Sequence, residues 1–265
     1  MPLEPQFILE LAVLGLAVGF IAGLLGIGGA MLMVPALTIM LNHRGYPAEY
    51  TAKIAVATSL ATICFTSLSS LRAHQRRKAV LWPVVRVLAP GIVVGSLLGA
   101  QLAAALPGKF LGITFAIFVA FSATQMLLDL KPKAARTLPG TLGTFSMGSL
   151  IGVVSALVGA GGAFLSVPFM TWCNVKIHDA VGTSAALGFP IAVAGTAGYV
   201  WAGRGMPALP GAVGYLFVPA LVIISIASIA MAPLGARTAH RMNARPLRRS
   251  FAVVLYFLAA YLLLR

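Results

Sequence analysis

Apolar runs of about 20 residues, each long enough to cross the ~30 Å hydrocarbon core of a bilayer, recur along the whole chain. Short polar or basic stretches separate them. Two runs are long and rich in glycine, at 7–41 and 141–172. Six plainer runs lie at about 50–71, 80–106, 109–130, 178–201, 209–235 and 250–264. The pattern predicts an all-α integral membrane protein that forms a single membrane domain over residues 1–265.

The first long run contains the sequence GLLGIGGAMLMVPAL at residues 23–37. A single helix over the whole run would be about 52 Å long, which is well beyond the hydrocarbon core. Glycine weakens a helix and exposes backbone polar groups, so we expect a break at the glycines of 26–29. The two halves then form either a re-entrant hairpin or a pair of short crossing helices.

The two long runs are copies of each other. Residues 15–38 align with residues 148–171 at a constant offset of 133, with eleven of 24 positions identical. AVATS at 55–59 matches AVGTS at 180–184, and LLGAQLA at 97–103 matches PLGARTA at 233–239. Three matches in the same order indicate a duplication. We predict repeat 1 over about 7–130 and repeat 2 over about 141–265, each with one glycine-broken segment and three transmembrane helices.

The charges predict the orientation of the repeats. The formal net charge is +14, although only 9% of residues are charged, and the basic residues lie in short loops. If each broken segment returns to the side where it began, the loops carry thirteen Lys and Arg on one side and five on the other. If it crosses, the split is nine against nine. The positive-inside rule favours the first arrangement, with inverted repeats and both termini extracytoplasmic. Because the basic loops explain the charge, no nucleic-acid partner is predicted.

The broken segments are the candidate binding site. A helix that begins inside the membrane presents unpaired N–H groups and the positive end of its dipole, which together favour an anion. Two such ends near the midplane would hold a small anion without a buried Lys or Arg. Close helix packing is the alternative role for the glycines. The predicted substrate-binding residues of these segments are Gly26, Gly28, Gly29 and Ala30 in repeat 1, and Gly159, Gly161, Gly162 and Ala163 in repeat 2.

Polar side chains add candidates. Thr58, Ser59, Thr183 and Ser184 begin otherwise apolar helices at equivalent positions, where their hydroxyls would donate to the same ligand or bond a neighbouring helix. Three residues are candidates for gating or steering: Pro35, Pro168 and Arg86. Arg86 would either attract anions from a cavity wall or extend its side chain to the membrane surface.

The sequence carries no pattern of a catalytic site. The four histidines lie in loops or at the ends of runs, without HExxH spacing and without paired intramembrane acids. We therefore predict no enzyme activity, no catalytic residue, no metal and no cofactor. The five acids do not form a deep relay, so the coupling ion stays open, as does the oligomeric state.

The two glycine signatures, GFIAGLLGIGGAMLMVPAL and GVVSALVGAGGAFLSVPFM, resemble those of the TauE/SafE family of membrane anion permeases. HDAVGTSAALG and its weaker copy AKIAVATSLAT extend the resemblance, although Ala57 stands where the second copy has Gly182. The resemblance implies a secondary transporter in a bacterial cytoplasmic membrane that exports small sulfur-containing anions, such as sulfite or organosulfonates, by alternating access. The alternative is a channel or carrier for a non-sulfur anion, a cation or a neutral metabolite.

Overall fold

The helices follow the apolar runs closely. A computed structural model describes residues 4–25, 29–128, 136–207, 209–241 and 244–264. The helices are α1 Pro5–Leu25, α2 Ala30–His43, α3 Ala48–Arg76, α4 Trp82–Ala105, α5 Gly108–Leu127, α6 Thr141–Val158, α7 Ala163–Trp172, α8 Ile177–Ala202, α9 Val218–Arg241 and α10 Ala244–Leu264. Among these residues, seven helices are long and apolar enough to span a membrane. The chain is an all-α integral membrane protein, as predicted.

Two predicted runs begin at the wrong residue. Helix α10 begins at Ala244, six residues before the run predicted at 250, whereas the run predicted at 209 begins too early. Residues 209–217 precede α9 and carry a two-stranded antiparallel hairpin, β1 Ala212–Val213 and β2 Leu216–Phe217. Gly211 and Gly214 have φ values of +79° and +56°, which the left-handed region allows to glycine without strain. Since a helix cannot continue through such positions, α9 begins only at Val218.

Both long runs are broken where the glycines predicted it. In the first, α1 ends at Leu25 and α2 begins at Ala30, with Gly26 and Gly28 outside the described residues. In the second, Gly159 ends α6 with φ +65° and Gly162 precedes α7 with φ +75°. A residue with a Cβ would be strained at either position, which explains the need for glycine there.

Each broken segment returns to the end of the molecule where it began. Arg44, at the end of α2, pairs with Glu4 just before α1 and with Glu10 inside it, the second at 3.2 Å. The N–H of Arg136, shortly before α6, donates to the carbonyl of Trp172 at the end of α7 (3.3 Å). At about 31 Å, α1 is long enough to cross alone, whereas α2 is about 21 Å long. The two arms are therefore unequal.

The two ends of the molecule have different neighbours. At one end, which we call the Arg44 end, Phe7 lies against Phe217, and Lys53 near the start of α3 donates to the carbonyl of Ala104 near the end of α4. The other end, which we call the Arg77 end, is named after the residue that follows α3. There the indole of Trp82 at the start of α4 donates to Gln75 near the end of α3 (3.0 Å). The starts of α6 and α8 and the end of α7 lie at the Arg77 end.

Glycines join the helices in pairs drawn from different halves of the chain. Helix α1 runs parallel to α9, with Gly15 against Ile224 and Gly19 against Ser228. In the same way α6 runs parallel to α4, and there Gly148 packs on Leu88 and Gly152 on Ile92 and Ser96. Leu88 and Ile224 are equivalent positions, because they lie 136 residues apart, as do Gly99 and Gly235 of the matching sequences LLGAQLA and PLGARTA. The contacts of the two pairs thus correspond position by position, while α3 packs against α8 and α5 against α10.

Candidate functional site

The break between α6 and α7 lies midway along the central helices α3 and α8. A Cβ on Gly159 would lie 3.2 Å from the Cα of Val56, and one on Gly161 would lie 3.4 Å from Ile63. On the other side, a Cβ on Gly188 of α8 would lie 3.5 Å from the carbonyl oxygen of Gly161. Since α3 spans Ala48–Arg76 and α8 spans Ile177–Ala202, the break is far from both ends of this pair.

Unpaired amides cluster at the start of α7. Leu165 and Ser166 donate their N–H groups to the carbonyl of Gly162, at 3.0 and 2.8 Å. The N–H groups of residues 161–164 have no acceptor among the described residues. N–H groups inside a membrane are costly without a partner, and at the first turn of a helix they coincide with the positive end of its dipole. Unpaired N–H groups at a helix start favour an anion over a cation.

The start of α2 has the same form. Gly29 precedes the helix, and Leu32 and Met33 donate to its carbonyl at 3.1 and 3.0 Å. Gly29 and Ala30 are buried. Their N–H groups have no acceptor within the described part of the chain, which excludes the neighbouring Gly26 and Gly28. The predicted candidates that the structure describes, Gly29 and Ala30, therefore occupy a helix start, as Gly162 and Ala163 do.

The predicted Thr-Ser pairs lie deeper than expected. They do not begin their helices: Thr58 is the eleventh residue of α3 and Thr183 is the seventh of α8. The Thr58 hydroxyl accepts the N–H of Phe217, directly before α9, at 3.1 Å. The Thr183 hydroxyl accepts the N–H of Leu81, directly before α4, at 3.0 Å. Each threonine thus pairs a backbone N–H at the start of a helix from the other half of the chain.

The adjacent serines hold the broken segment against the central helices. Ser59 donates to the carbonyl of Gly159 at 3.0 Å, and the Ser166 hydroxyl of α7 donates to Ser184 at 2.8 Å. All four Thr and Ser candidates are at most 2% exposed. In this conformation their hydroxyls make the helix contacts that were the alternative to ligand binding.

Ser155 is a further candidate site residue, which the sequence did not predict. Its side chain is 1% exposed, and its hydroxyl has no hydrogen-bond partner within the described structure. The hydroxyl lies 3.3 Å from the position that a Cβ on Gly162 would take, beside the unpaired amides of α7. The signal was available as the serine in GVVSALVGAGG, where repeat 1 has Ala22.

The three candidates for gating or steering lie in different parts of the structure. Pro35 is buried within α2, and Pro168 lies within α7, where each removes one helical N–H. Arg86 is the fifth residue of α4 and its side chain is exposed, as expected of a side chain that extends to the membrane surface. The structure does not bring Arg86 to the α7 amides.

The charged side chains that these helices show in the described structure lie away from the break. Lys53 is 4% exposed, donates to Ala104 at 2.7 Å and lies 5.6 Å from the ring centroid of Tyr215, all at the Arg44 end. Beyond α7, burial raises the pKa of the Cys173 thiol above its ordinary value, while the positive charge of nearby Arg136 acts to lower this pKa. Among the described residues, no cluster of three His, Cys, Asp or Glu side chains forms a metal site.

Comparisons with known proteins identify the family of the chain. The model of the family described as "Sulfite exporter TauE/SafE" matches residues 11–262. A "Probable membrane transporter protein" of Haemophilus influenzae is 32% identical over 98% of this chain and 99% of its own length. The "Probable membrane transporter protein YdhB" of Bacillus subtilis is 31% identical over 70% of this chain and 76% of its own. No solved structure matches. The chain therefore belongs to the TauE/SafE sulfite exporter family of membrane transporters.

Proposed function

We propose that the chain is a secondary transporter that exports small sulfur-containing anions, such as sulfite or organosulfonates, across the cytoplasmic membrane of a bacterium. The observation that carries the proposal is the set of unpaired N–H groups at residues 161–164, midway along α3 and α8. Backbone amides at a helix start bind oxyanions without a compensating side-chain charge. The family's description as a sulfite exporter supports the same class of substrate.

The acids favour an anion over a cation. Carriers of cations usually place Asp or Glu inside the membrane. The acids of the described residues, Glu4, Glu10, Glu49 and Asp179, all lie before a helix or within its first two turns. None adjoins the start of α7. A bound cation at this break would meet N–H groups of its own sign.

The contact pattern supports transport by two inverted repeats. The pairs α1 with α9 and α6 with α4 make equivalent glycine contacts, yet α1 begins at the Arg44 end and α6 at the Arg77 end. Inverted repeats around a midplane site allow alternating access when one group of helices rocks against the other. The two helix starts at Ala30 and Ala163 then contribute to one site between the repeats.

A carrier or channel for a non-sulfur anion is the second candidate. Backbone N–H groups recognise charge and size and do not themselves distinguish sulfur from carbon. The free Ser155 hydroxyl adds a donor that suits either an oxyanion of sulfur or a carboxylate. Substrate competition has to separate the two.

The test is flux into proteoliposomes that contain the purified protein. We expect sulfite or a sulfonate such as sulfoacetate to move, with sulfate and lactate as competing anions and sodium and potassium as cations. Faster flux of lactate than of every sulfur anion would favour the second candidate. Transport of a cation with no anion moved would overturn the proposal.

A further inference from the structure

An apolar groove of about 500 Å³ separates α6 from α7. One row of side chains follows α6 at i, i+3, i+4 and i+7 from Met147 to Val154, and a second row with the same spacing follows α7 from Leu165 to Trp172. Each row is a single helix face. The volume lies in the range of small-molecule sites, which is about 300–1,000 Å³.

The groove exists because the two arms pack on different partners. Helix α6 lies against α4 through Gly148 and Gly152, whereas α7 lies against α8 through Ser166. On the groove wall, Leu150 is 57% exposed and Trp172 is 37% exposed. A hydrocarbon chain from the bilayer fits this groove better than water does, because it makes dispersion contacts with both apolar walls.

The positively charged side chain of Arg136 lies at the Arg77 end of the groove. The Arg136 guanidinium lies 5.0 Å from the ring centroid of Trp172, which lines the groove. The backbone N–H of Arg136 donates to the backbone carbonyl of Trp172. Arg136 is exposed, and no carboxylate pairs with it among the described residues. A guanidinium held over an aromatic ring keeps most of its N–H groups free for a phosphate.

We propose that this groove binds one anionic phospholipid, with an acyl chain between α6 and α7 and the phosphate at Arg136. The apolar walls of the groove suit the acyl chain, and the Arg136 guanidinium at the end of the groove suits the phosphate. Because α7 also carries the unpaired amides, the lipid supports the helix that begins at the break. The proposal does not depend on which substrate the protein carries.

The binding test uses delipidated protein in detergent, with bound lipid counted by native mass spectrometry. We expect one retained phosphatidylglycerol and weaker retention of phosphatidylcholine. Since one Arg near the surface favours an anionic lipid by about five-fold, Arg136→Gln should remove a preference of that size. Arg204→Gln is the matched control, because Arg204 lies over Trp201 at 4.0 Å without a lining residue of the groove nearby. If both variants lose the preference for phosphatidylglycerol equally, or neither loses it, the assignment of the phosphate to Arg136 is contradicted.

A second variant tests the acyl chain. Val154→Trp fills the groove and should abolish the retained phosphatidylglycerol. Ile117→Trp, on the exposed face of α5, should retain it. If Val154→Trp does not fold, Arg136→Gln still decides the headgroup preference. Undiminished retention by folded Val154→Trp, or equal binding of phosphatidylcholine by the wild type, overturns the proposal.

Discussion

At the scale of single residues, the hydroxyls of the predicted Thr-Ser pairs all have hydrogen-bond partners, whereas the hydroxyl of Ser155 has none in the described structure. Thr58 and Thr183 accept backbone N–H groups from residues that are 159 and 102 positions away. Sequence alone identified these threonines as a repeated pair, but partners so distant follow only from the packing of the helices. The sequence marks Ser155 only as a serine where repeat 1 has Ala22, and its nearness to Gly162 follows from the structure.

Thr183→Val should destabilise the protein, because it leaves the N–H of Leu81 without its acceptor. An unpaired buried donor costs about 1–3 kcal/mol. Thr183→Ser keeps the acceptor and should retain most of the stability. Thermal unfolding in detergent measures both, with Thr114→Val as the control because the hydrogen bond of Thr114 is exposed and stays within its own helix. A wild-type melting temperature for Thr183→Val combined with lost transport would assign the hydroxyl to the substrate instead.

Ser155→Ala should weaken transport without loss of stability. The hydroxyl has no partner to lose in the described structure, whereas a bound anion would lose one donor worth about 0.5–1.5 kcal/mol. We expect KM to rise by up to about ten-fold. Ser122→Ala removes an equally buried and unpaired hydroxyl from α5 and should leave KM unchanged. Identical KM values for the two variants would exclude Ser155 from the site.

At the scale of elements, glycine has two separate uses in this fold. Gly159 and Gly162 adopt positive φ at the break, whereas Gly19 and Gly152 allow helices to approach closely. The sequence placed both breaks well, because three glycines in four positions are incompatible with a regular helix. The sequence placed the start of α9 nine residues too early, at 209 instead of 218, because apolar composition does not reveal the hairpin that precedes this helix.

Gly19→Ala should separate α1 from α9. The added Cβ would lie 2.8 Å from the carbonyl carbon of Ser228, and backbone cannot move aside easily. Overpacking of this kind costs about 1–3 kcal/mol. Gly112→Ala is the control, since a Cβ there meets nothing within 4 Å. Unfolding of both variants at the wild-type temperature would refute close packing as the role of Gly19.

At the scale of the whole molecule, contacts at its two ends show to which side each broken segment returns. The ion pair between Arg44 and Glu4 and the bond from Arg136 to Trp172 place both ends of each broken segment together. The loop charges predicted this parity from sequence, because a returning segment groups the basic loops on one side. The unequal length of the arms could not be predicted, since it depends on where the glycines end each helix.

Orientation can be tested by labelling single cysteines in cells. In a background without Cys64 and Cys173, we expect Arg44→Cys to react with a membrane-impermeant maleimide added outside. Lys78→Cys, at the Arg77 end, should react only after the cells are opened. The reverse pattern would invert the proposed topology.

The central claim is that the start of α7 binds the transported anion through its backbone, and sulfite flux into proteoliposomes tests it most directly. Gly161→Leu places a bulky side chain among the unpaired amides, beside Ile63, whereas Gly112→Leu places one where nothing lies within 4 Å of the Cβ. With both variants folded, we predict that Gly161→Leu abolishes sulfite flux and that Gly112→Leu retains it. Wild-type flux through folded Gly161→Leu would contradict the account.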